Sequence, residues 1–260
     1  MKPTHFNIMK LTLSAILFVT GLLINTVSAV TLQSSSQQVP LIELYTSEGC
    51  SSCPPADRWL NSLLDEDELW QEYVPIAFHV DYWDYIGWPD RFASKEYSQR
   101  QRRYAAEFNE PTVYTPGMRK AGDLWRNWLY VRSPSLSDAE EVGVLSLNIE
   151  NDGSFTADFA ASATFEQSNQ LNIAILGQGL STDVKRGENR GKTLDHNFVV
   201  LAITTIGSST NNQWNGTLPS PSIIAPNYAV AAWVTRGGSL KPIQVVGGEL
   251  NSLPDLFAVE

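Results

Sequence analysis

Short apolar segments alternate with polar turns along most of the chain, and the first two enclose a helical pattern. Residues 39–45 and 74–80 are almost wholly apolar, which is typical of strands buried on both faces. Between them, Leu60, Leu63 and Leu64 recur at the spacing of one helix face. A strand, a helix and a second strand in this order predict a parallel βαβ unit.

A change of pattern at about residue 143 predicts a second region that is rich in strands. A helix over residues 94–108, with Ser94 as its N-cap, precedes this change. Beyond it, apolar segments are separated by Gly, Asn, Ser and Thr, and the Asn-Asp-Gly turn at 151–153 is typical of a hairpin. Short strands with regular turn signals favour an antiparallel sandwich. The predicted strands are 144–149, 155–160, 171–177, 198–204, 228–235 and 243–246.

The first 29 residues have the pattern of a secretory signal. Lys2 and Lys10 precede an apolar stretch at 11–24, which is short for a membrane span. Residues 27–29 then offer small side chains for cleavage. The alternative is an uncleaved N-terminal anchor. We therefore expect an exported protein, periplasmic or secreted, in an oxidising compartment.

Charge narrows the classes of partner. Removal of the leader would leave 231 residues and change the formal net charge from −10 to −12. Contacts to nucleic acids and anionic membranes need Lys and Arg, so this acidic balance argues against both partners. The sequence predicts no cofactor.

The two cysteines of the chain form a Cys50-Ser51-Ser52-Cys53 motif between the first strand and the first helix. A cysteine at a helix N-terminus has a stabilised thiolate, and a second cysteine one turn later can close a disulfide and resolve a mixed disulfide. We therefore interpret Cys50 as the attacking thiolate and Cys53 as the buried resolving thiol. Two alternatives stay open. One is an inert staple, whose short loop would contribute only about 2 kcal/mol, and the other is a metal site.

A histidine and an aromatic cluster follow the second predicted strand. His79 lies at the end of that strand, on the sheet edge where the first strand leads into Cys50. It could stabilise the Cys50 thiolate or accept its proton, or it is a core histidine with one hydrogen bond. The aromatic residues of segment 82–88, Trp83 among them, could bind unfolded peptide segments or could simply cover the core.

Five segments occur in a characteristic order: ELYTSEGCSSCPPAD (43–57), FHVDYWDYIGWPDRFAS (78–94), RQRRYA (100–105), VYTP (113–116) and GENRGKTL (187–194). CxxC alone is a weak signal, but this ordered combination is specific. It resembles a bacterial family of secreted, thioredoxin-like proteins of unknown function.

The resemblance implies a fold class and further site residues. The resemblance implies a thioredoxin-like fold for roughly residues 39–142. Together with the strand pattern described above, it leads us to expect an α/β thioredoxin-like domain over residues 30–142, followed by a mainly antiparallel, sandwich-like β domain of unknown role over 143–260. Pro116, preceded by Thr115, holds the position of a cis-proline that faces the CxxC motif, where the neighbouring backbone pairs with substrate. Glu43 lies roughly where thioredoxins keep a buried acidic proton shuttle, although an exposed edge position is an equal alternative.

The function that these residues favour is thiol–disulfide exchange by an exported protein. Protein thiols or disulfides would be its substrates, and a membrane electron-transfer partner is a further candidate. The alternatives are a soft-metal module, in which the CxxC motif and His79 hold an ion such as Cu(I), and a non-catalytic binding protein. Whether the protein is an oxidant, a reductant or an isomerase depends on its reduction potential, which is a property of the folded state.

Overall fold

The computed structural model describes Met1 and residues 29–165, 169–209, 211–253 and 256–257. The predicted leader, apart from its first and last residues, lies outside the described part of the chain. The helices in the described part are all too short or too polar to cross a bilayer.

Strands dominate the described residues. Two α-helices accompany them, α1 (Pro54–Asn61) and α2 (Lys95–Glu107), with short 3-10 turns at Ser62–Asp65, Asp81–Ile86, Trp128–Tyr130 and Ala163–Phe165. The strands are β1 (Ala29–Gln33), β2 (Leu41–Thr46), β3 (Val74–His79), β4 (Gly117–Lys120), β5 (Asp123–Leu124), β6 (Gly143–Glu150), β7 (Ser154–Ala161), β8 (Asn169–Gln178), β9 (Leu180–Asp183), β10 (Thr193–His196), β11 (Val199–Ser209), β12 (Gln213–Thr217), β13 (Asn227–Arg236) and β14 (Pro242–Glu249).

Most local predictions are confirmed. Strands occupy every apolar segment for which a strand is predicted, with bounds that differ by a few residues. The helix at 94–108 is α2, and its N-cap is Ser94, whose hydroxyl accepts a hydrogen bond from the Glu96 N–H. The paired prolines 54 and 55 open α1, where a missing N–H costs little.

A mixed eight-stranded sheet forms the centre of the molecule, in the order β14-β13-β8-β11-β3-β2-β4-β5. β2 and β3 are parallel, with Leu41 opposite Val74 and Thr46 opposite His79. β11 is parallel to β3 and pairs with it at Val199 and Ala77. The remaining neighbours in this sheet are antiparallel.

The predicted fold class, an α/β thioredoxin-like domain followed by a β-sandwich, is wrong. The structure is mainly β, and strands from both sides of residue 143 share the central sheet. The Ala77 N–H donates to the Phe198 carbonyl at 2.8 Å, so β11 extends the sheet that contains β2 and β3. The sequence pattern could identify these strands but not their neighbours, because the pairing joins segments about 120 residues apart.

A second, antiparallel sheet of order β1-β6-β7-β12 packs over part of the central sheet. Burial alternates along β6 and β7, as expected for strands with one face against a core. The inward residues Leu145, Leu147 and Ile149 of β6 join a core with Ile173 and Ile175 of β8. A strongly alternating pattern therefore marks the strands of the covering sheet, and continuous apolar runs mark the central one.

The two helices cover opposite faces of β2 and β3. Ile42 and Leu44 pack in one core cluster with Leu60 of α1. Tyr45 packs in another with Tyr97 and Tyr104 of α2. The carboxyl ends of the two parallel strands therefore lie between the two helices. At this edge of the sheet β2 leads into the cysteine motif.

Glu43 lies on the α2 face of β2, within a buried ion pair. Its Oε2 accepts hydrogen bonds from Arg100 Nε (3.1 Å) and Nη2 (2.9 Å), and its Oε1 accepts one from the Tyr104 hydroxyl (2.5 Å). Tyr45 donates to the same carboxylate at 3.1 Å. The Arg100 guanidinium also lies over the rings of Phe78 and Tyr104. Glu43 is fully buried, so the edge alternative is wrong, and its partners belong to α2 and β2.

Loss of Arg100 should destabilise the protein strongly, because it leaves the Glu43 carboxylate buried without its countercharge. We expect Arg100→Met to lower the free energy of unfolding by about 3–5 kcal/mol, measured by urea titration at pH 7. Arg103→Met removes an exposed arginine of the same helix and should change it by no more than about 0.5 kcal/mol. Equal effects of the two substitutions would show that the ion pair is not a structural requirement.

Candidate functional site

A disulfide joins Cys50 and Cys53 in the turn between β2 and α1. Their Cα atoms are 5.4 Å apart, and Cys53 is the N-cap residue of α1. The Cys53 carbonyl accepts hydrogen bonds from the N–H groups of Ala56 (2.8 Å) and Asp57 (3.1 Å), which begin the helix. Cys50 is 1% exposed and Cys53 0%, whereas the two serines between them are exposed.

The loop that ends in Pro116 meets the disulfide. The Ser52 hydroxyl lies 3.3 Å from Cys50 Sγ and donates to the Thr115 carbonyl at 3.5 Å. The Thr115–Pro116 peptide bond is cis, as the resemblance implied. Trp83 Nε1 donates to Thr115 Oγ1 at 2.7 Å. The structure therefore brings Thr115, Pro116 and Trp83 together beside the cysteines, and their roles toward a substrate stay predictions.

A buried cluster of ionisable side chains lies next to the cysteine turn. It consists of Glu48, Asp57, His79, Asp90 and His196, each less than a tenth exposed. His79 Nδ1 lies 2.7 Å from Asp90 Oδ2, which also accepts a hydrogen bond from the Glu48 N–H at 2.9 Å. The His79 and His196 rings pack edge to face, with centroids 4.9 Å apart. We call this group the acid–base cluster.

The His79–Asp90 pair has the electrostatics of a buried ion pair. Burial by itself lowers the pKa of His79, but the Asp90 carboxylate, with smaller contributions from Asp57 and Glu48, outweighs it, so this pKa is raised. Burial likewise favours the neutral form of Asp90, but His79 and the N–H groups of Glu48 and Phe92 outweigh it and lower its pKa. The two shifts reinforce a charged, hydrogen-bonded pair.

The pKa of Asp57 shifts in the opposite direction to the pKa of Asp90. It lies in α1 one turn after Cys53, and its Oδ1 accepts a hydrogen bond from Thr46 Oγ1 at 2.8 Å. Burial raises its pKa, although the nearby imidazoles of His196 and His79 act in the other direction. A neutral Asp57 is therefore favoured in the fold relative to the unfolded chain.

Three polar atoms of the acid–base cluster have no hydrogen bond within the described part of the protein: His79 Nε2, His196 Nε2 and Glu48 Oε1. His196 Nε2 is 3.4 Å from Glu48 Oε1, which is within ion-pair range although the geometry makes no hydrogen bond. Buried polar atoms normally have partners, and exceptions concentrate at functional sites. Across the described residues, His, Cys, Asp and Glu side chains form no group of three that is arranged to hold a metal ion.

The loop between β9 and β10 completes the site. Asn189 is fully buried, and its Nδ2 donates to the carbonyls of Glu48 (2.8 Å) and Cys50 (2.9 Å). Glu188 Oε2 accepts a hydrogen bond from the Ser51 N–H at 3.3 Å. These bonds fix the backbone of the cysteine turn from a segment about 140 residues further along the chain.

The aromatic segment covers the same turn. Trp83 packs so closely on Gly49 that a Cβ added there would lie 3.1 Å from the Trp83 Cβ. Trp88 Nε1 donates to Glu48 Oε2 at 2.7 Å. Tyr85 stacks on Trp83 and is 81% exposed. The segment therefore both covers the core and presents one aromatic ring to solvent beside the site.

Of the acid–base cluster, the sequence pointed to His79 but not to its other members, and it did not point to Asn189. All of these residues except His196 lie inside the segments that carry the family resemblance, so the resemblance itself held the signal. Carboxylates and an amide that lie in separate turns, loops and a helix point to no chemistry until the fold brings them together. His196 lies just beyond the last of those segments, at the end of β10.

Comparison with known proteins identifies a family and two similar folds. The family model described as "Protein of unknown function (DUF1223)" matches residues 41–235. A crystal structure of a protein from Agrobacterium tumefaciens is 26% identical and covers 87% of this chain and 99% of its own, with a TM-score of 0.60. HBP35 of Porphyromonas gingivalis is 13% identical and covers 84% and 77%, with a TM-score of 0.55, a similarity of fold alone. The curated proteins contain no match.

Replacement of Asp57 should stabilise the protein at neutral pH. Because its folded pKa is raised, Asp57 contributes stability below its unfolded pKa and loses it as pH rises through the folded value. At pH 7 Asp57→Asn, which keeps the acceptor for Thr46, should therefore raise the free energy of unfolding by about 0.5–2 kcal/mol. Exposed Asp67 is the matched control, and Asp67→Asn should change it by at most about 0.5 kcal/mol. A destabilised Asp57→Asn variant at pH 7 would contradict this account.

The His79–Asp90 pair should contribute most to stability in weakly acidic solution. The Asp90 contribution is complete above its unfolded pKa near 3.8 and is lost as pH falls through the lower folded value. The His79 contribution is complete below its unfolded pKa near 6.5 and is lost as pH rises through the higher folded value.

Asp90→Asn should therefore destabilise the protein most between about pH 4 and 6.5, by about 3–5 kcal/mol. The measurement is urea unfolding of both proteins from pH 3 to 9. We expect a smaller difference at both ends of this range. A difference that does not change with pH would show that the pair is not charged in the folded protein.

Proposed function

Because this chain belongs to the family described as "Protein of unknown function (DUF1223)", whose description assigns no activity, we propose a function from the site itself: thiol–disulfide exchange at Cys50 and Cys53. The observation that carries the proposal is the joint presence of a CxxC disulfide at the start of α1 and an adjacent buried acid–base cluster. A purely structural staple needs no neighbouring groups that exchange protons.

The exchange proceeds through a mixed disulfide in either direction. When the protein oxidises a substrate, a substrate thiolate attacks Cys50 Sγ, the Cys50–Cys53 bond breaks, and Cys53 leaves as a thiolate. A second substrate thiolate then attacks the substrate sulfur of the mixed disulfide and releases Cys50. Two electrons pass to the cysteine pair, and two protons pass from the substrate thiols to the cysteines. In the reverse direction Cys50 attacks a substrate disulfide and Cys53 resolves the intermediate.

The start of α1 favours Cys50 as the attacking thiol and limits the stability of its thiolate. The positive end of the helix dipole lies at the cysteine turn, which supports a lowered Cys50 pKa. Residues 54 and 55 are prolines, however, so the first turn has fewer N–H groups to donate to a thiolate. We therefore expect a moderate rather than an extreme reduction potential.

The acid–base cluster supplies a reservoir for the protons that exchange requires. His79, held by Asp90, is the residue that the sequence predicted for this role, and His196 packs against its ring with Nε2 3.4 Å from Glu48 Oε1. Each cysteine changes its protonation during the cycle, and imidazoles titrate in the physiological range. Asn189 acts as a positioning residue because it holds the Glu48 and Cys50 carbonyls.

An exported location fits this chemistry. The N-terminal leader pattern supports a periplasmic or secreted protein, and disulfides persist in such oxidising compartments. Protein thiols or disulfides are the proposed substrates, and a membrane electron-transfer partner is the proposed source or sink of electrons. Exposed aromatic rings such as Tyr85 beside the disulfide suit contact with a polypeptide.

The burial of both cysteines favours a second candidate, a non-catalytic binding protein with a closed disulfide. A substrate can reach Cys50 Sγ only if the exposed serine turn or the loop before Pro116 moves. The reduction potential separates the two candidates, because a structural disulfide is much harder to reduce than a catalytic one.

We expect the Cys50–Cys53 couple to have a reduction potential between about −120 and −270 mV. Equilibration of the protein without its leader in glutathione buffers, followed by alkylation of free thiols and mass spectrometry, measures it. A value below about −300 mV would mean that the disulfide stays closed, and the catalytic proposal would fall.

Substitution of single cysteines should show which sulfur attacks. With a protein substrate that contains a disulfide, Cys53→Ser should accumulate a mixed disulfide through Cys50, because no resolving thiol remains. Cys50→Ser should accumulate at least about tenfold less, since Cys53 is the proposed resolving thiol and lies at the N-cap of α1. Non-reducing gels report both species, and equal trapping by the two variants would remove the assigned roles.

A further inference from the structure

The loop between β9 and β10 carries a local excess of positive charge beside the disulfide. Within residues 185–192 there are four basic side chains, Lys185, Arg186, Arg190 and Lys192, and a single acidic one, Glu188. The whole chain has a formal charge of −10. We call this segment the basic loop, and its charge is opposite to that of the protein as a whole.

The basic loop is held at a fixed place against the cysteine turn. Asn189 lies at its centre and donates to the carbonyls of Glu48 and Cys50, as described above. Gly187 has a φ of 72° and packs on Trp88, so that a Cβ there would lie 3.2 Å from the Trp88 Cβ. The charges are therefore positioned relative to the reacting sulfur and do not sit on a free surface tail.

The charges of the basic loop are weakly compensated by carboxylates, and Lys192 Nζ donates to the neutral Asn189 Oδ1 at 2.9 Å. All four basic residues are exposed. Lys185 pairs with Asp183 at 3.1 Å, but both side chains are more than half exposed, and such pairs contribute little. Among the described residues, no carboxylate forms an ion pair with Arg186 or Arg190.

An open cavity of about 290 Å³ follows the loop, lined by residues that include Lys185, Arg190 and Lys192. Arginine binds carboxylates through two parallel hydrogen bonds. A shallow, open surface with several separated cations fits an extended chain that carries several carboxylates better than it fits one small anion.

We propose that the basic loop docks an acidic polypeptide segment next to the reacting cysteine of the protein substrate. This inference rests on the proposed thiol–disulfide function and names its substrate class. Opposite charges on the two surfaces steer the encounter and set its orientation, which raises association rates by about 10 to 1,000-fold at low salt. The substrate cysteine would then arrive at Cys50, whose carbonyl is held by the same loop.

The experiment compares two peptides of equal length that contain a cysteine. In one peptide Asp and Glu flank the cysteine, and in the other Lys flanks it. Each reduces the Cys50–Cys53 disulfide under single-turnover conditions, with alkylation of samples as the readout. Each rate is divided by the rate of the same peptide with bis(2-hydroxyethyl) disulfide, because flanking charges change thiol reactivity. Dithiothreitol, which is uncharged, tests the redox activity of each protein independently of docking.

We expect the acidic peptide to react at least about tenfold faster than the basic one after this correction, with the preference falling in 0.5 M salt. Arg186→Glu/Arg190→Glu should abolish or reverse the preference. Arg236→Glu is the matched control, because exposed Arg236 pairs with Asn169 at the end of β8 that lies farthest from the site. The ten residues of β8 place its two ends about 30 Å apart, so Arg236→Glu should keep the preference.

A copy of the acidic peptide with Ser in place of Cys separates docking from chemistry. Fluorescence anisotropy should show that it binds the wild-type protein and that the Arg186→Glu/Arg190→Glu variant binds it at least about tenfold more weakly. Equal corrected rates for the two peptides, or no binding up to millimolar peptide, would overturn the docking inference. Failure of dithiothreitol to reduce the pair would instead overturn the proposed function, and peptide binding would still decide the docking inference.

Discussion

The short parallel pairing between β3 and β11 connects the two halves of the chain and creates the site. It consists of one register contact, Val199 opposite Ala77, and the hydrogen bond from the Ala77 N–H to the Phe198 carbonyl. Through it, the strands from β8 onward extend the sheet that begins with β2 and β3. The β9–β10 loop and the end of β10 consequently lie over the cysteine turn, and His196 meets His79. From the first half of the chain, Trp83, Asp90 and Thr115 contact the cysteine turn, and the second half adds Glu188 and Asn189.

Burial of the acid–base cluster destabilises the fold where its charges are not well paired, and the pairing differs between its members. Burying five ionisable groups costs free energy that only good pairing offsets. The His79–Asp90 pair has that pairing, whereas Asp57 has a raised pKa, and three polar atoms of the cluster make no hydrogen bond to any described residue. The Glu43–Arg100 pair, by contrast, is well supplied with hydrogen bonds from tyrosines. A poorly satisfied cluster at the disulfide and a well satisfied one away from it are expected when the first serves chemistry and the second serves stability.

The net charge of the whole protein and the local charge beside the cysteine turn have opposite signs. The overall charge of the protein is acidic, but the loop that holds the cysteine turn is basic. The same short segment therefore holds the backbone of the cysteine turn through Asn189 and carries the four cations on which the docking proposal rests. Positioning and recognition are joined because both depend on one hairpin connection between β9 and β10.

The sequence by itself determined the local elements and the position of the cysteine pair. Continuous apolar runs identified β2 and β3, the apolar segments on either side of the Asn-Asp-Gly turn identified β6 and β7, and the Ser94 cap identified α2, since each depends on neighbours within a few residues. The strand period also places Glu43 and Thr46 on opposite faces, because they are three residues apart, so the α2 side of Glu43 could have been inferred.

Only the tertiary structure decided which strands are neighbours, and with that the fold class, the acid–base cluster and the contact of the basic loop with Cys50. These depend on pairing between segments more than 100 residues apart. The energy of such pairing comes from backbone hydrogen bonds and burial, which many strand arrangements satisfy almost equally, so the local pattern does not specify the partner.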